Sequence, residues 1–83
     1  MRAEDHISAH AHSIYNRSQI MASRICGCFY CLKIFESNEI VDWTDADDDT
    51  ALCPSCEIDS VIGDASGYPI TREFLLKMQE YWF

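Results

Sequence analysis

Positive charge is scarce in this chain. Six Lys and Arg stand against fourteen Asp and Glu over 83 residues, a formal charge of -8. A protein that gains affinity by neutralising phosphates needs the opposite balance, so nucleic acid ranks low among the expected partners. Long apolar runs are missing too: no segment approaches the ~20 apolar residues of a membrane span. Met1 to Ala11 carries acids and histidines where a secretory signal would place its apolar stretch. The expectation is a soluble, cytoplasmic protein without a membrane role. At 83 residues the chain is one small domain, with too little core to enclose a bulky cofactor or a substrate-sized cavity. Histidine does not occur after position 12, which withholds a base from the serine in the loop Gly63 to Pro69 and from any nuclease-like finger. No catalytic residue is assigned, and an enzyme is not expected.

Cysteine, by contrast, is plentiful. Five cysteines, an odd number without an export signal, argue for metal ligation rather than a disulfide framework. Cys28-Phe-Tyr-Cys31 and Cys53-Pro-Ser-Cys56 are two C-x-x-C pairs separated by 21 residues, the spacing at which two knuckles fold back on one tetrahedral Zn²⁺. Four thiolates leave no open position, so the expected cofactor is one structural zinc ion held by Cys28, Cys31, Cys53 and Cys56. Cys26 adds a third thiol beside the first pair and is read as a bystander, because two intervening residues suit the knuckle turn better than four.

The rest of the chain reads as a small α+β zinc-binding domain spanning 1–83. From Ala3 to Ala22 there is no Gly or Pro, and Ile7, Ala11, Ile14, Ser18, Met21 and Ile25 follow the rhythm of one helical face. An amphipathic N-terminal helix over 1–25 is expected, docked on the zinc module or pairing with a second copy in a homodimer. The four-cysteine zinc module covers 26–63: a knuckle, then a hairpin with strands near Glu39 to Trp43 and Thr50 to Cys53, then the second knuckle. A short helix over Ile58, Val61 and Ile62 would give a treble-clef or zinc-ribbon-like order. Residues 64–83 supply a loop and a C-terminal helix capped by Thr71, with Phe74, Leu75, Met78, Tyr81 and Trp82 on an apolar side.

Other constellations are weaker. His6 and His10 lack the Glu of a zinc-protease motif and are read as solvated. Asp45, Asp47 and Asp49 mimic a calcium loop, but Thr50 stands where Gly is required and Cys56 where a bidentate Glu belongs. Asp45, Asp47, Asp48 and Asp49 instead form an exposed acidic turn, a landing point for a basic protein surface. Phe29, Tyr30, Tyr81 and Trp82 are the aromatic candidates for partner contact.

Cys28-Phe-Tyr-Cys31, Glu39-Ile40 with Trp43, Thr50-Ala-Leu-Cys-Pro, the run Ile58 to Thr71 and the closing Trp82-Phe83 resemble a family of small bacterial cytoplasmic proteins of uncharacterised function with a zinc-ribbon-like core. The resemblance covers about residues 26–83 and implies the same four metal ligands. Glu57 departs from it, standing where such knuckles usually carry Gly. The functional expectation is a non-catalytic, zinc-stabilised interaction module whose acidic surface engages a basic protein. An acidic inhibitor or immunity-type protein blocking a basic site is the alternative, and a nucleic-acid-binding finger comes third.

Overall fold

Ile25–Cys28 (β1) is the strand around which the rest is arranged. In the computed structural model, which describes residues 4–83, it lies between Ile34–Glu36 (β2) and Val61–Gly63 (β5), both antiparallel to it. Cys26 faces Phe35 on one side and Gly63 on the other. Side chains alternate across such a sheet, and the alternation splits the core in two. Cys26, Cys28, Phe35 and Val61 pack on one face with Ile20, Ile40, Ala51 and Cys53. On the other face Ile62 packs with Ala9, Phe29, Phe74, Leu75 and Met78. Gly27 lets the C-terminal helix close on that second face: a Cβ there would fall 2.7 Å from Leu75 Cδ1.

That helix, Arg72–Trp82 (α3), forms as its sequence signals. The Thr71 hydroxyl accepts the Phe74 N–H at 3.2 Å, and Phe74, Leu75 and Met78 are buried at helical spacing. A second, two-stranded sheet pairs Trp43–Thr44 (β3) with Thr50–Ala51 (β4). The expected hairpin is therefore present but shorter, since a 3₁₀ turn takes Ser37–Glu39.

Two expected helices are not formed. Residues 1–3 of the first lie outside the described residues. The remainder divides into Asp5–Ser8 (α1), a 3₁₀ stretch Ala9–Ser13, an extended break at Ile14 and a second short helix, Arg17–Ala22 (α2), while Ile25 enters β1. The break has a polar cause. Ser13 Oγ donates to the His10 carbonyl at 2.7 Å and Asn16 Nδ2 to that of His12 at 2.9 Å, which offers the backbone an alternative to helical bonding. Asn16 then reaches inward, donating to the Val61 carbonyl at 2.9 Å and accepting the Ala51 N–H at 3.1 Å. Ala9 and Ile20 are buried, whereas Ile14 and Met21 face solvent, 49% and 68% exposed. The single long helical face that was to dock on the zinc module or pair with a second copy is not formed among the described residues.

The second correction is at Ile58 to Ile62. Val61 and Ile62 are buried on opposite faces of β5, a period of two that a short apolar run hides from a helical reading. The second knuckle is thus followed by a strand, and the treble-clef helix is absent at that place.

Candidate metal centre

The two C-x-x-C segments fold into matching turns. In the first, Cys28 ends β1; its N–H donates to the Lys33 carbonyl at 3.0 Å and its carbonyl accepts the Leu32 N–H at 2.9 Å. In the second, the Cys53 N–H donates to Ile58 at 3.0 Å and its carbonyl accepts the Glu57 N–H at 2.9 Å. Backbone donors aim at the leading sulfur of each turn. Tyr30 N–H reaches Cys28 Sγ at 3.3 Å, and the Ser55 and Cys56 N–H groups reach Cys53 Sγ at 3.4 and 3.5 Å. Such donors favour the thiolate.

The turns face each other. Cys28 Sγ lies 3.6 Å from Cys56 Sγ, Cys31 Sγ lies 3.6 Å from Cys53 Sγ, and all four sulfurs fall within 4.8 Å of one another. A tetrahedral zinc with Zn–S near 2.3 Å requires S···S edges of about 3.8 Å. Both short distances are close to that edge and far from the ~2.05 Å of a disulfide. The donor set can hold a metal ion and is compatible with one structural zinc. Cys28 and Cys53 are buried, Cys31 and Cys56 half-buried, in one apolar cluster with Phe35, Ile40 and Trp43.

The electrostatics show why such a site wants a cation. Burial pushes the Cys28 thiol well above its ordinary value and raises Cys56 as well. Burial also acts upward on Cys53, but the N–H groups of Cys56 and Ser55 together with the neighbouring Cys31 and Cys56 thiols outweigh it and bring that thiol below the ordinary value. Four clustered sulfurs cannot all ionise in a shielded place without a positive centre. Ser60, buried behind the site, places its hydroxyl 3.0 Å from Cys28 Sγ. Sequence reasoning did not select Ser60; its position four residues past the last ligand carries no local signal. Cys26 is fully buried among apolar side chains and lies outside the four-sulfur cluster.

The partner-contact residues fare unequally. Phe29 is only 2% exposed and packs in the core with Phe74 and Met78 of α3, so it is not a surface contact. Tyr30, Tyr81 and Trp82 are exposed. Asp45, Asp47 and Asp48 are exposed and Asp49 is half-buried. Asp45 is already engaged, since its carboxylate accepts the Thr50 hydroxyl at 2.7 Å. The acidic turn is held from behind by Arg17, whose Nη1 donates to the Asp48 carbonyl at 2.8 Å and whose N–H donates to Asp49 at 2.9 Å. The histidines expected to be solvated are packed on rings: His10 stacks on Trp82 at 3.9 Å and His6 meets Tyr81 edge-on at 5.6 Å. Among the described residues no helix is long and apolar enough to cross a membrane. Comparison of the chain with protein-family models, with curated proteins and with solved structures found no match.

Proposed function

We propose that this chain is a non-catalytic protein-interaction module, stabilised by one Zn²⁺ in a zinc-ribbon-like pair of knuckles, whose acidic surface engages a cationic protein. The observation that carries the reading is the set of four sulfurs at tetrahedral spacing. A shell made of four thiolates offers no open coordination position, so the ion supplies folding free energy and no reactive site. What remains to act is the surface, and its formal charge of -8 favours cationic partners at long range. Zinc with four thiolates adds a further net -2.

The acidic turn supports this role because Arg17 fixes its backbone while the Asp47 and Asp48 carboxylates face water. Rim charges of this kind mainly accelerate encounter. If the partner's surface is a catalytic or nucleic-acid-binding cleft, the same turn would make the chain an inhibitor. The test replaces Asp47, Asp48 and Asp49 by Asn, sparing Asp45 for its bond to Thr50. With a basic partner recovered on the metal-loaded protein, association slows and its salt dependence flattens. Unchanged rate and salt sensitivity would overturn the reading of the turn.

A further inference from the structure

We propose that the corner formed by Tyr30 and Phe83, closed by Glu80, seats an arginine guanidinium of the cationic partner; this deepens the reading above and rests on it. The two rings stand at 73° with centroids 4.9 Å apart, and they line one shallow groove with Gln79 and Glu80. Both residues remain exposed, Tyr30 45% and Phe83 61%, with Phe83 also meeting the Phe29 ring at 5.8 Å. The corner is also held in place. Gln79 Nε2 donates to the Tyr30 carbonyl at 2.7 Å, tying the first knuckle to α3, and the Phe83 N–H donates to the Gln79 carbonyl at 2.8 Å.

The occupant follows from chemistry. The two rings present negative quadrupoles and Glu80 a carboxylate, while among the described residues no cationic side chain lines this groove. A planar cation that stacks on one ring and pairs with the carboxylate satisfies both. The neighbouring groove at His6 and Tyr81 includes Lys77 as well as Glu80 and lacks that bias. The molecule makes the same kind of contact internally, where the Arg17 guanidinium sits 4.5 Å over the Trp43 ring. Trp43 is thereby already served, whereas among the described residues no cation lines the groove at Tyr30 and Phe83.

The test titrates metal-loaded protein with acetyl-arginine methylamide and, in parallel, with its citrulline analogue, following the Tyr30 and Phe83 ring signals by NMR. The arginine probe should shift both rings saturably and the neutral isostere should not. Glu80→Gln should weaken the effect about threefold, and Tyr30→Ala should abolish it while leaving metal content and folding intact. Equal shifts with citrulline, non-saturating shifts or an unaltered Glu80→Gln response would overturn the proposal. Polyarginine separates it from the broader reading. Association slowed by the Asp47, Asp48 and Asp49 substitutions but not by Glu80→Gln sinks the corner and keeps the acidic surface; polyarginine that fails to bind at all sinks both.

Discussion

Leu32 and Glu57 occupy equivalent places in the two knuckles, each directly after the second cysteine, and each takes a left-handed backbone, φ 66° and 64°. Turning the chain so that both sulfurs of a pair point at one centre requires that conformation, which costs a side-chain-bearing residue ~1–2 kcal/mol. The two positions differ in what the side chain does. Glu57 is exposed, whereas Leu32 packs against the cluster beneath α3. Glu57→Gly should therefore stabilise the protein, by up to about 1 kcal/mol after the entropy of glycine in the unfolded chain is counted. Leu32→Gly should destabilise it, because relief of strain is offset by lost apolar burial. Urea midpoints of the two metal-loaded variants give the signs.

Asn16 joins parts of the molecule that share no strand. Its side chain bonds the Val61 carbonyl of β5 and the Ala51 N–H of β4. Asn16→Ala leaves both backbone groups buried and unpaired, and a loss of about 2–4 kcal/mol in unfolding free energy is expected. Metal content should be unchanged, since the Asn16 side chain bonds none of the four clustered cysteines.

Gly63 and Gly27 are both close to neighbours but are not equally sensitive. A Cβ at Gly63 would overlap the Ser23 side chain, lying 2.8 Å from Ser23 Cβ, and that hydroxyl is fixed between the Gln19 carbonyl and the Ala65 N–H. At Gly27 the obstacle is the end of the Leu75 side chain, which has other rotamers. Gly63→Ala should cost about 1–3 kcal/mol and Gly27→Ala less, as thermal denaturation would show.

How far the sequence declared this molecule depends on how local each decision was. The four-cysteine cluster was legible because a knuckle is closed within six residues, from Cys28 to Lys33 and from Cys53 to Ile58. Thr71 was legible as a cap for the same reason. The departure from Gly at Glu57 was legible, its left-handed twin at Leu32 was not. The break after Ser13 was hidden because Asn16 is drawn inward by Val61 and Ala51, partners 45 and 35 residues away. Val61 and Ile62 were misread because strand pairing with β1, not their own spacing, decides their conformation. The burial of Phe29 likewise depends on α3 returning over the first knuckle.

Cys26 gives the alkaline behaviour. Burial pushes its thiol from 9.0 up to about 12, with the Asp64 carboxylate adding in the same direction. Above pH 9 the unfolded chain releases this proton while the folded chain keeps it, so the unfolded state binds fewer protons and stability falls as pH rises. The contribution is whole below the unfolded value and is lost toward the folded one. For one group the limiting slope is about tenfold in the folding constant per pH unit. Cys26→Ala should remove that slope, lower stability modestly at neutral pH through the small cavity left behind, and leave the metal content unchanged. Loss of metal from this variant would reassign the ligands.

The central claim is that one ion, held by four thiolates, organises the fold. Elemental analysis of the purified protein, shown to unfold cooperatively, tests it most directly. One zinc per chain is expected, falling to none in Cys53→Ser together with loss of the cooperative transition, because each sulfur is an irreplaceable part of a closed shell. A chain that folds cooperatively and contains no metal would contradict the account.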